Sequence, residues 1–140
     1  METIFYNCQS LLSLDLSSFD TSKVSNMYLM FGFCYSLSSI VLNNFNTENV
    51  NVMSGMFDYC ESLTYLNLSN FDTNSVNYLN YMFYNCISLT SLDLSNFYIR
   101  QLWTIAFMFG NCVSLEFLDI SNLKIYIPMI CKVLFSIAKN

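Results

Sequence analysis

The chain has 140 residues, 54% of them hydrophobic and 11% charged, with a formal net charge of −5. That length and apolar content support one hydrophobic core, while five scattered cations (Lys23, Arg100, Lys124, Lys132, Lys139) argue against a nucleic-acid partner, which needs clustered positive charge. Histidine is absent, which removes the commonest general base and the commonest zinc ligand.

In chain order the first element is residues 1–7, read as the second half of a partial unit that ends in Ile4-Phe5-Tyr6-Asn7. Four full repeats follow over 8–111, and 112–140 is a degenerate fifth repeat or a C-terminal cap; the whole is read as a single repeat domain. The phase is set by cysteines at 8, 34, 60, 86 and 112, each 26 residues after the last. In the first half of each unit, apolar columns run through Leu11, Leu37, Leu63, Leu89, Leu115, then Leu14, Ile40, Leu66, Leu92, Leu118, then Leu16, Leu42, Leu68, Leu94, Ile120. The alternation in Leu92-Asp93-Leu94-Ser95 predicts a half-buried strand.

An aromatic column (Phe19, Phe45, Phe71, Phe97) and a threonine column (Thr21, Thr47, Thr73) come next. Each threonine is read as starting a turn by accepting from free backbone N–H groups. The second half carries Val24, Val50, Val76, Leu102, then Met27, Met53, Leu79, Ile105, and closes on Met30-Phe31, Met56-Phe57, Met82-Phe83 and Met108-Phe109. In Val50-x-x-Met53-x-x-Met56-Phe57 the spacing places all four on one face of a short helix or 3-10 segment. A unit this small cannot bury its columns alone, so it must stack on its neighbours, with parallel strands about 4.8 Å apart. The predicted fold class is therefore an α/β repeat solenoid, leucine-rich-repeat-like, with one short parallel strand and one short helix or 3-10 segment per 26-residue unit.

Residues 60–73 (Cys-Glu-Ser-Leu-Thr-Tyr-Leu-Asn-Leu-Ser-Asn-Phe-Asp-Thr) and 80–86 (Asn-Tyr-Met-Phe-Tyr-Asn-Cys) resemble the 26-residue repeat of bacterial surface proteins, the BspA-like class of leucine-rich repeats. The resemblance covers residues 4 to about 123 and implies a cell-surface or secreted adhesion protein, with no catalytic residues to carry over. The fourth unit departs from it at Tyr98-Ile99-Arg100-Gln101, and the fifth loses the pattern after Asn122. Met1 to Phe5 shows neither a basic nor an apolar leader segment, so no secretory signal is read there, and both ends read as cut from a longer array. The longest apolar stretch, Ile125 to Ala138, is too short and too interrupted to predict a membrane span.

Most polar positions have a structural reading. The cysteine column is expected to be buried and reduced, since no C-x-x-C pair accompanies it, with Cys131 out of register. Asn44, Asn70, Asn96 and Asn122 form a column expected to satisfy the backbone of adjacent turns, and Asp20, Asn46 and Asp72 are read as turn residues rather than a calcium site. Binding is expected on outward strand positions: Tyr65, Phe117, Asn67, Asp93 and Asp119, with Trp103 as a separate outward aromatic that either anchors a partner or folds over the irregular last unit as part of a cap. Paired-carboxylate catalysis by Asp93 and Asp119 is disfavoured, because an open strand face leaves both solvated and ionised. No enzyme, cofactor or metal is predicted. The expected function is a non-enzymatic cell-surface recognition or adhesion scaffold for a protein or glycan partner. The alternative is a structural stacking segment of a longer array that self-associates end to end.

Overall fold

The computed structural model describes residues 1–98, 100 and 103–123. Among them the regular elements are four three-residue strands: β1 (Ser13–Asp15), β2 (Ser39–Val41), β3 (Ser91–Asp93) and β4 (Phe117–Asp119). β1 pairs in parallel with β2, Ser13 opposite Ser39, and β3 pairs in parallel with β4, Ser91 opposite Phe117. The two sheets stay separate, because Tyr65-Leu66-Asn67, the third unit's equivalent segment, forms no strand. The expected α/β leucine-rich-repeat-like solenoid is therefore corrected: the described residues contain no helix, and their sheets are two two-stranded pairs.

The physical reason lies in where the second-half N–H groups go. Alternate residues donate to the following unit: Met27 to Val52, Leu29 to Ser54, Phe31 to Met56 and Phe33 to Asp58, at 2.7–3.0 Å. The residues between them close turns three positions back, Met30 on Met27, Gly32 on Leu29 and Cys34 on Phe31, at 3.1–3.3 Å. An α-helix needs each N–H to bond four residues back, so a chain that gives half of them to a neighbour cannot be one. The same pattern recurs at Met53–Cys60 and Leu79–Cys86.

The turns also need left-handed backbone. Leu29 (φ 48°), Gly55 (φ 62°), Tyr81 (φ 60°) and Phe107 (φ 56°) occupy one repeat position, and Phe33, Tyr59, Asn85 and Asn111 another. Each such non-glycine residue costs about 1–3 kcal/mol and persists only when its surroundings hold it. The inter-unit hydrogen bonds do that, together with a ring stack behind them. Phe5, Phe31, Phe57, Phe83 and Phe109 lie face to face at centroid separations of 5.4–5.8 Å. Around this stack Met27, Met30, Met53, Met56, Val50, Val76 and Leu79 are fully buried, so the 3, 3, 1 spacing does mark an inward face. What it marks is a run of turns.

The first-half columns are also inward. Leu16, Leu42, Leu68 and Leu94 are buried, as are Phe45, Phe71 and Phe97, and Leu66 is buried although its segment is not a strand. The threonine expectation is revised in detail. Thr47 Oγ1 donates to the Asp72 carbonyl at 2.8 Å and accepts from the Asp72 N–H at 2.7 Å, so the hydroxyl ties one unit to the next. Thr21 does the same with Asn46, and Thr73 with Tyr98. Leu102, the Ile99 and Gln101 departures, and the cap segment from 124 onward with Cys131 lie outside the described residues.

Candidate functional site

The cysteines are core groups with a hydrogen-bonding role. Cys34, Cys60, Cys86 and Cys112 each present Sγ 3.0–3.3 Å from the carbonyl of the phenylalanine 29 residues earlier, Phe5, Phe31, Phe57 and Phe83. Burial pushes the Cys34 thiol up to about 11 and the Cys112 thiol up to about 12, and raises Cys60 and Cys86 well above the ordinary thiol range. Nucleophilic attack and metal binding both need thiolate, so these four serve packing. Cys8 departs from the expected burial and is exposed. Among the described residues there is no group of three or more Cys, Asp or Glu able to hold a metal ion.

The asparagine column donates to the backbone of the preceding turn. Asn70 Nδ2 reaches the carbonyls of Leu42 and Phe45 at 3.1 and 2.9 Å, and Asn96 Nδ2 reaches Leu68 and Phe71, both at 2.9 Å. Asn44 and Asn122 bond in the same way to Ser17 and Ser95. Asp20 and Asp72 hold turns, accepting from the backbone of Ser22 and Asn74.

The strand-face residues divide into two groups. Tyr65, Asn67, Asp93 and Phe117 line one cleft of about 230 Å³, with Ser91, Ser95 and Asn96. Residues 65–69, which join neither sheet, form one side of it. Tyr65 and Phe117 stand two units apart in one column, 64% and 57% exposed, with the small Ser91 between them. Two large aromatic rings thus face solvent along a cleft lined by polar groups and by the buried Leu66 and Leu68.

Asp119 is the register partner of Asp93 but lies outside the cleft lining. Both carboxylates are occupied locally, Asp93 Oδ1 accepting from Ser95 N and Asp119 Oδ1 from Ser121 N at 2.9 Å; Asn67 does the same for Ser69 at 3.0 Å. The Ser95 hydrogen bonds hold the Asp93 carboxyl below its usual range, whereas acid catalysis would need one of the pair raised. Trp103 is 62% exposed and lies edge-on to Tyr78 at 5.3 Å. It sits beside the bridge series Asn26, Val52, Tyr78, Thr104, apart from the Tyr65 cleft.

The sequence columns pass over a second cleft, of about 370 Å³, lined by residues of the turn-rich half including Tyr6, Tyr28, Phe33, Gly55, Asp58 and Tyr81. The signal available was a column break: Asp58 stands where the other units carry Tyr6, Gly32, Tyr84 and Gly110. Burial pushes its carboxyl up to about 7, against a lowering from the Tyr59 backbone.

Residues 1–126 match the family described as Mycoplasma protein of unknown function, DUF285. The chain belongs to this family. The family description assigns it no activity. No curated protein and no solved structure matches the chain. No helix of the described residues is long and apolar enough to cross a membrane.

Proposed function

We propose that the chain is a non-enzymatic recognition module that engages a protein or glycan partner through the cleft between Tyr65 and Phe117, at the cell surface or outside the cell. The observation that carries this reading is the juxtaposition of two exposed rings with Asn67, Ser91 and Asp93 in one cleft. Aromatic side chains supply large contact area at small entropic cost and dominate binding energy at interfaces. Asn67, Ser91 and Asp93 supply orientation beside the apolar Leu66 and Leu68, as in sites with a few placed polar groups among apolar walls. One side of the cleft is held by the paired strands β3 and β4, which carry Ser91, Asp93 and Phe117. The surface location rests on the resemblance to bacterial surface repeats, with which DUF285 membership is compatible.

The reading is tested by screening the purified chain on immobilised glycans and extracellular-matrix proteins, then repeating each positive with Tyr65→Ala/Phe117→Ala. A loss of at least tenfold in affinity is expected for the double variant. Unchanged affinity, with Trp103→Ala instead abolishing binding, would move the contact surface to the Tyr78–Trp103 pair and refute the cleft.

A further inference from the structure

The column that carries Tyr65 and Phe117 has Ser91 between them, and that small residue sets the shape of the strand-face cleft. The three units stay in hydrogen-bonding contact there: Thr90 N donates to the Thr64 carbonyl and Phe117 N to the Thr90 carbonyl, both at 3.3 Å. Adjacent units are therefore at strand spacing, and positions 65 and 117 stand about 10 Å apart. In the core, where each unit supplies a phenylalanine, successive rings lie 5.4–5.8 Å apart. An outward column with serine in the middle thus leaves room for one flat group between two aromatic side chains. Both are more than half exposed, and among the described residues neither ring packs against another ring.

The lining supplies one charge. Asp93 is exposed, and the Ser95 hydrogen bonds that hold its carboxyl below the usual range keep it ionised at neutral pH. No Lys, Arg or second acid lines the cleft with it, and the chain carries a net charge of −5. An ionised carboxylate only accepts hydrogen bonds, and the faces of the two rings attract cations. A group that meets all three demands is flat, cationic and rich in N–H donors. We propose that the cleft takes an arginine side chain of a protein partner, its guanidinium inserted between Tyr65 and Phe117 over Ser91 and donating to Asp93. A guanidinium stacks on aromatic faces and matches a carboxylate with a planar fork of N–H groups. A lysine ammonium is compact and strongly hydrated, so it fills the slot poorly, and a neutral sugar ring leaves the charge of Asp93 unmatched. The inference rests on the cleft being the contact surface, and it narrows the partner to a protein that presents an exposed arginine.

The test is an NMR titration of the ¹⁵N-labelled chain with acetyl-Gly-Arg-Gly-amide, its lysine and citrulline counterparts, and methyl β-D-glucopyranoside. Saturable shifts at the Tyr65, Ser91, Asp93 and Phe117 amides are expected with the arginine peptide, at about millimolar affinity for a single side chain. Citrulline keeps the planar shape without the charge and should bind at least tenfold more weakly, the lysine peptide and the glucoside at least fivefold. Raising the salt from about 0.02 to about 0.5 M should weaken the arginine peptide several-fold. Asp93→Asn should lower its affinity at least fivefold. Ser91→Phe places a ring at a column position where Tyr65 and Phe117 already stand, so it should abolish the shifts without lowering Tm. Equal affinity for any of the other three probes, or no saturable shift with the arginine peptide, would overturn the proposal. The comparison of probes uses the unaltered chain, so it decides the matter even if a variant fails to fold. The partner screen with Tyr65→Ala/Phe117→Ala tests the cleft separately, so the arginine assignment can fail while the cleft stands.

Discussion

Thr47→Val isolates the hydrogen bonds that tie one repeat to the next. Valine keeps the branched shape of threonine and fills the same buried position, but it removes a hydroxyl that both donates to and accepts from the backbone of Asp72. Two backbone groups of Asp72 then lose their partner. A fully buried orphan costs about 1–3 kcal/mol; because Asp72 is only half-buried, about 1 kcal/mol for each group is the appropriate end of that range. The loss is then about 2 kcal/mol, or roughly 6–10 °C in Tm for a chain of this size. Thr47→Ser retains the hydroxyl and loses one methyl, so it should fall by about 1 kcal/mol or a little more. Thermal and urea unfolding, followed by circular dichroism, measure both variants. If Thr47→Val proved as stable as the parent, or more stable than Thr47→Ser, the hydroxyl bridge would carry none of the inter-unit cohesion assigned to it.

Three further outcomes follow from the packing and the buried acid. Phe57 is wholly buried between Phe31 and Phe83, so Phe57→Ala should cost about 3–5 kcal/mol, whereas Phe117→Ala, at 57% exposure, should stay within about 0.5 kcal/mol; urea midpoints of similar size would refute the inward assignment. Iodoacetamide at about pH 8 should alkylate exposed Cys8 while Cys60 and Cys86 react only after unfolding, because burial suppresses their thiolate; peptide mass spectrometry checks this, and labelling of Cys86 at the rate of Cys8 would contradict it. The Asp58 carboxyl, raised to about 7 from an ordinary 3.8, binds more protons folded than unfolded between those values. Its contribution to stability therefore declines as pH rises from about 4 to about 7. Asp58→Asn should flatten that decline, so its Tm relative to the parent should be higher at pH 8 than at pH 4; a gap that does not change with pH would show that the carboxyl titrates normally.

The repeat, the inward columns and the turn roles of Asn70, Asn96, Asp20 and Asp72 were legible in the sequence. A 26-residue period puts equivalent residues in equivalent surroundings, so a column that is apolar throughout must face inward. The helix was not legible as false. Val50-x-x-Met53-x-x-Met56-Phe57 buries the same residues whether each N–H bonds within its unit or reaches the next, and only the packed neighbour decides which. Residue type gave no warning either, since Leu29, Phe33 and Tyr81 are poor candidates for left-handed backbone. On the strand face, outward placement of Tyr65, Asn67, Asp93 and Phe117 followed from alternation. Their union in one cleft is set by the tertiary arrangement, in which 65–67 joins neither sheet. Sequence periodicity thus determined which side chains are buried, and tertiary hydrogen bonding decided what the backbone does to bury them, because every N–H had two available acceptors and only the stacked neighbour supplied the second.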